Sequence, residues 1–296
     1  MLLGFSLKAQ VQVSAQNYTV AQDGSGDYQT IQEAVNAIRD HAQVKAIIKV
    51  KNGIYHEKLV IPAWKKNISI IGESKDKTII VYNDYSGKDF PQKDFTGNST
   101  YSTYTSYTVL MQGNDCSLEN LTVENSAGRV GQAVALAIEA DRCEVRNCNI
   151  LGNQDTLYTS KDGRNYFENC FITGTTDFIF GEATVIFQNC TIKSLADSYI
   201  TAASTTKEQP FGYVFFNCEL IAAEGVKKFF LEDLGGPMQK PFSLIPKWEN
   251  ILPMKVGTHG RAIKCFPKKR KQPFMQNIVV TETELTLRLG WNGLIS

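Results

Sequence analysis

A chain of 296 residues with 43% hydrophobic and 21% charged side chains is long enough for a sizeable core and too apolar to be intrinsically disordered. Its formal net charge is +1, made of 21 basic and 25 acidic residues over 1–230 and 10 and 5 over 231–296. A mildly acidic body argues against nucleic-acid binding, and no apolar run reaches the roughly 18 residues of a membrane span, so neither partner is expected.

The opening MLLGFSLKAQ reads as the end of a signal peptide without its charged start, so 1–17 is expected to be a leader and the protein secreted or periplasmic. Thr30 and Glu33 form a capping box ahead of Ile31, Ala34, Val35 and Ile38, which fall on one helical face. That helix is the expected cap of a β-solenoid, covering the first rung and the open core. AIIKVKNGIYHEKLVI and NISIIGE follow with a strand–turn rhythm.

From Ser117 to Ala223 one pattern returns as SLENLTV, EVRNCNI, YFENCFI, IFQNCTI and VFFNCEL. Its asparagines, Asn120, Asn147, Asn169, Asn189 and Asn217, are spaced by 27, 22, 20 and 28 residues. Matched strands with turns of varying length are the mark of a solenoid, and a period of two within each run makes the strands β. Cys148, Cys170, Cys190 and Cys218 then form an inward ladder with an Ile or Leu two residues on. The expected fold is all-β, a parallel β-helix. The seven cysteines are odd in number and lack a CxxC pair, so most are read as buried thiols.

The repeat also aligns Asp155 with Asp177, each eight residues after its asparagine. Equivalent positions on neighbouring coils lie roughly 4.8 Å apart. Two carboxylates at that spacing cannot both ionise cheaply, so one is expected to be an acid with a raised pKa and the other an anion able to attack. The bland alternative is that the aspartates only terminate turns. With three histidines and no GxSxG, HExxH or Walker pattern, a serine hydrolase, a zincin and a P-loop enzyme are disfavoured. The isolated aspartates do not suggest a calcium cage, and no metal is expected.

Four segments, GIYHE at 53–57, QAVAL at 132–136, GNQDTLY at 152–158 and DFIFG at 177–181, together with VAQDGSGDYQTIQEAVNAI at 20–38, resemble the pectin methylesterases (pectinesterases). The resemblance covers 18–230 and implies a right-handed parallel β-helix that hydrolyses methyl esters of polygalacturonate without a cofactor, as a monomer. It implies Asp177 as nucleophile, Asp155 as general acid and then base, and Gln132 and Gln154 as oxyanion donors. Tyr158 and Phe178 are candidates for the floor of a sugar cleft, with packing at the rim as the equal alternative. Glu57 is read as a structural hydrogen-bonding residue. Rival readings are a polygalacturonase or lyase, or an inactive pectin-binding homologue.

After Phe230 the chain departs from the pattern. Where the family continues with a segment resembling LGRPWRPYAKTVF, this chain has LEDLGGPMQKPF, with Gly236 and Met238 near the expected Arg and Trp. The codons allowed for EDLGGPMQKPF and KKRKQPFMQN, read in a shifted frame, restore family-like segments. Residues 231–296 are therefore read as a frameshifted tail that does not continue the solenoid, and PKKRK at 267–271 as an accident of frame.

Overall fold

The computed structural model describes residues 15–91, 97–160, 163–206, 209, 211–232 and 243–244. The leader up to residue 14, Gly236, Met238 and the PKKRK run lie outside them. The chain winds as a right-handed parallel β-helix whose coils build three sheets of nine, seven and seven strands. The first sheet begins with Gln16–Val20 beside Ala46–Val50, so regular structure starts just inside the expected leader.

Alternation within the strands produces the core. In the first sheet Ile48, Ile70, Leu118, Val145, Phe167, Phe187 and Phe215 are successive register partners, all buried. Phe187 stacks on Phe167 and Phe215 with centroids 5.1 and 4.7 Å away. In the third sheet Ile80, Val123, Ile150, Ile172, Ile192 and Leu220 make a second inward row. Apolar neighbours in successive rungs bury apolar area continuously, at about 25 cal/mol per Å².

The corner between these sheets explains the repeat. In the five coils of the repeat it consists of two residues, the first an Asn at positive φ, between 49° and 55° for Asn120, Asn147, Asn169, Asn189 and Asn217, whereas the two earlier coils turn through residues 51–52 and 73–77. Asn tolerates this left-handed region better than most residues with a Cβ. Its amide also finds a partner across rungs, as Asn147 Nδ2 donates to Asn120 Oδ1 at 2.8 Å and Asn217 Nδ2 to Asn189 Oδ1 at 2.7 Å. The second corner residue points inward, where Cys148, Cys170 and Cys190 are buried free thiols and Cys218 is half-buried.

The helix Ile31–Ala37 closes the N-terminal end with Ile31, Ala34 and Val35 buried and both bonds of the Thr30–Glu33 capping box made. Glu57 adds a tertiary cap, accepting from the backbone N–H groups of Ile31 at 3.0 Å and Gln32 at 2.9 Å. This fulfils the structural role read from GIYHE. At the other end the solenoid runs past the expected boundary. Phe230–Glu232 pairs with Tyr199–Ala203, and Ser243–Leu244 pairs with Tyr213–Phe216. Phe229 and Leu231 pack against the core, which is why the coil continues there.

The two demands on the corner asparagine can be separated. Asn147→Gly loses the partly solvated amide bond but also sheds the Cβ from the left-handed region. Asn147→Ala loses the same bond and keeps the Cβ strain without the compensation an Asn side chain gives, at about 1 kcal/mol relative to Gly. Urea denaturation should rank the stabilities parent, Gly, Ala. Equal midpoints for the two variants would show that backbone conformation does not set this choice.

Candidate active site

The functional side chains collect at the corner from the third sheet to the second. Asp155 lies between Asn149–Leu151 and Leu157–Thr159, and Asp177 between Phe171–Gly174 and Ile179–Gly181. Both have positive φ, 62° and 49°. Leu157 and Ile179, two residues further on, are register partners, so the aspartates hold equivalent places in successive coils. Inter-coil bonds fix both turns, with Asp155 N–H donating to Thr176 O at 3.3 Å and Asp177 N–H to Tyr199 O at 2.9 Å. The expected juxtaposition is present, and both aspartates also end turns.

Their environments differ. Asp155 is 6% exposed, while Asp177 is half-buried. Burial pushes the Asp155 carboxyl from 3.8 up to about 7, the neighbouring Asp177 charge adds to the rise, and a hydrogen bond with Gln154 partly opposes it. One member of the pair is thereby suited to hold a proton near neutrality.

Gln132 and Gln154 meet as a parallel bridge on adjoining coils, and Ala133 N–H donates to Gln154 O at 3.0 Å. Gln132 belongs to the longer connection 126–135. Buried Asn125 holds its start, with Nδ2 facing the carbonyls of Asp84, Ser106 and Val134 at 2.9, 3.1 and 3.0 Å. Arg129 reaches over the next two turns to donate to Leu195 O at 2.9 Å.

A second support lies under the insertion preceding Val109. Lys58 Nζ donates to Asp84 Oδ2 at 2.8 Å and Thr105 O at 2.7 Å, and Lys88 Nζ to Asp84 Oδ1 at 2.9 Å. Burial raises the Asp84 carboxyl, but its two lysine partners override this and hold it below the ordinary range. Lys58 also sits 4.4 Å from the centroid of Tyr101 and 4.7 Å from that of Tyr107. The network pins a segment whose Tyr104 lies 5.0 Å from the ring of Tyr158.

The two aromatic candidates separate. Tyr158 points outward in a row with Tyr104 and Phe180, its centroid 4.9 Å from Phe180, although it is only 7% exposed. Phe178 does not line a cleft. It is fully buried in the core, seated against Gly174, where a Cβ would lie 2.1 Å from the Phe178 Cβ. Its place is to plug the corner beneath Asp177.

Sequence reading passed over Phe180 although a signal was present: Tyr158 and Phe180 each fall eleven residues after their asparagines. Tyr104, Asn125 and the Lys58–Asp84 pair carry no such offset. Among the described residues, no three His, Cys, Asp or Glu side chains gather as metal ligands.

The family profile described as Pectinesterase matches residues 17–260, past the point where the motif resemblance ends. Pectinesterase 31 of Arabidopsis thaliana is 37% identical over 203 residues, covering 67% of this chain and 63% of that protein. A pectin methylesterase from carrot superposes with a TM-score of 0.62 at 35% identity, covering 70% of this chain and 64% of the other. A pectin methylesterase solved in complex with a hexasaccharide gives a TM-score of 0.65 at 29% identity, with coverage of 74% and 71%. The chain spans 39% of another Arabidopsis relative, a probable pectinesterase/pectinesterase inhibitor.

The raised Asp155 carboxyl has a thermodynamic consequence. With its folded-state value above its unfolded one, the native state is favoured most below pH ~4 and loses that advantage as pH rises through about 7. Asp155→Asn should therefore stabilise the protein progressively between pH 4 and 8, by a few kcal/mol at the upper end. Thermal unfolding across this range checks it, and melting curves that stay parallel for parent and variant would remove the strain from Asp155.

Proposed function

The chain belongs to the pectinesterase family, and we propose that it hydrolyses the methyl esters of polygalacturonate, releasing methanol and leaving a free carboxylate. The supporting observation is the pair Asp155 and Asp177, in register on adjacent coils, with Asp155 raised to about 7 beside its partner.

In the proposed reaction the Asp177 carboxylate attacks the ester carbonyl carbon, and the carbonyl π electrons move to oxygen. Gln132 and Gln154 side-chain amides donate to that oxyanion, stabilising charge without exchanging a proton. Collapse breaks the carbon–methoxy bond as Asp155 protonates the leaving oxygen, giving methanol and an acyl-aspartate anhydride. Asp155, now ionised, takes a proton from water as the water oxygen attacks the galacturonyl carbon of the anhydride. The bond from that carbon to the Asp177 oxygen breaks, Asp177 leaves as a carboxylate, Asp155 holds its proton again, and the galacturonic acid formed gives its proton to solvent. Tyr158, Phe180 and Tyr104 supply an apolar wall for the sugar rings. Acting on cell-wall pectin, the protein is proposed to be exported and to work as a monomer.

The decisive test is methanol release from methyl-esterified polygalacturonate with no fall in polymer length. Asp177→Asn should abolish turnover while preserving the fold, and Gln132→Ala should slow it about 100- to 1000-fold. Methanol release by Asp177→Asn at the parental rate, or chain cleavage by the parent, would overturn the reading.

We also propose that 231–296 is read in a shifted frame and contributes no part of the family's chemistry. Sequencing the codons around position 230 decides this. A single-base correction there should yield an LGRPW-like segment and raise methylesterase activity by orders of magnitude, and equal activity before and after correction would refute it.

A further inference from the structure

Gln132 stands in a connection, outside the strands that fix the aspartates. Gly131 before it holds φ of 112° with open space where a Cβ would lie, so the chain is least restrained just ahead of the donor. Gln132 itself is exposed, whereas Ala133 and Val134 behind it are buried. Its place is therefore imposed by the segments beside it.

Those segments are the two ends of the insertion preceding Val109. At its start, Ser86 N–H donates to Gln132 O at 2.9 Å. At its end, Ser106 Oγ accepts from Val134 N–H at 3.2 Å. Both ends converge on Asp84, whose carboxylate is 2% exposed and accepts from Lys58 and Lys88. Lys58 Nζ also donates to Thr105 O, the neighbour of Ser106, so one ammonium ties the start of the insertion to its end. Asn125 Nδ2 faces the carbonyls of Asp84, Ser106 and Val134, which joins both ends to the connection itself. Burying charge is costly unless it is paired, and here the pairs span segments that no sheet register relates.

We propose that Asp84, clamped by Lys58 and Lys88, is a positioning residue for the reaction: it holds Ser86 and Ser106 in place, and their bonds to the connection set Gln132 at the oxyanion. This rests on the reading of Gln132 as an oxyanion donor. Asp84 acts through the backbone of Gln132 rather than on the substrate. Misplacing a catalytic group by about 1 Å costs up to about 100-fold in rate, so the clamp has a measurable catalytic effect although it lies behind the site.

Two variants of the full chain separate the bond from the clamp. Tyr85 to Lys88 form a turn with Gly87 at φ of 94° and Lys88 N–H donating to Tyr85 O at 3.1 Å, so Ser86 holds the place that proline favours. Ser86→Pro removes the N–H that meets Gln132 O and keeps the turn, and the conservative Ser86→Ala keeps both. Asp84→Asn keeps the shape and removes the charge. Each is made alone and with Gln132→Ala, kcat and KM are measured from methanol release on methyl-esterified polygalacturonate, and backbone hydrogen exchange is followed over 126–135 and 143–151. Ser86→Pro and Asp84→Asn should each lower kcat about 10- to 100-fold, with Ser86→Ala parental. In the Gln132→Ala background neither change should lower kcat by more than about twofold further. Exchange should quicken about tenfold over 126–135 and stay parental over 143–151. Equal losses of kcat in both backgrounds, or parental exchange over 126–135 in both variants, would overturn the positioning role and leave the esterase reading standing. A parental rate for Gln132→Ala would remove its oxyanion role and the positioning role with it. No methanol release by the parent would count against the esterase reading, and the exchange comparison would still decide whether Asp84 and Ser86 hold Gln132. Should Asp84→Asn fail to fold, Ser86→Pro decides alone.

Discussion

A residue held at positive φ marks the corners of this solenoid, and the hydrogen bonds between coils carry its position forward along the axis. Asn serves at one corner, Asp155 and Asp177 at the second, and Asp115 and Arg142 at the third, with φ of 60° and 58°. Short polar side chains suit this conformation because their Cβ strain is offset by local hydrogen bonding. The backbone requirement that favours Asp at a corner therefore also lines up two carboxylates. Arg142 is the exception in kind, and its fork onto Asp115 at 2.5 and 2.7 Å is the compensation visible there.

Stacking in register makes every side chain the neighbour of its equivalent, which favours some residues and penalises others. Asn on Asn pairs side-chain amides, Asn147 with Asn120 and Asn217 with Asn189, and Phe on Phe fills the core. Like charges gain nothing from the arrangement. Where charged residues meet in the paired strands the signs alternate, as Arg146 lies between Glu119 and Glu168. Among the described strand pairs no two like charges are register partners. The aspartate corner departs from that rule, and its cost is expressed as the raised Asp155 carboxyl. A local electrostatic conflict in a fold that avoids such conflicts elsewhere is what a site needing one protonated and one ionised acid requires.

What could be read from the sequence was whatever repeats. The Asn–Cys corners, the capping box at Thr30 and Glu33, and the register of Asp155 over Asp177 all follow from offsets within the chain, because the coil converts an offset into a place. Between the two readings of Phe178, cleft floor and packing, the sequence does not choose: proximity to Asp177 in sequence says nothing of direction, and the absent Cβ of Gly174 lets the ring turn inward. Asn125, Tyr104 and the Lys58–Asp84 pair were invisible because each acts between segments of unequal length that no periodicity relates. The end of the resemblance at Phe230 likewise did not mark the end of the coil, since Phe229 and Leu231 still satisfy the core.

Those unequal segments sit outside the coil without disturbing it. Leu59–Ile61 and Val109–Met111 are direct register partners even though the insertion holding Asp84 and Tyr104 separates them in sequence. The corner residues and inter-coil bonds fix the path of the floor, so a wall can be built beside it from a long connection and then locked by a few buried polar contacts. Axial position is set by coil number and lateral enclosure by insertion length, two nearly independent variables. For a linear polymer lying along the axis, the first decides which ring meets which residue, and the second decides how closely that ring is held.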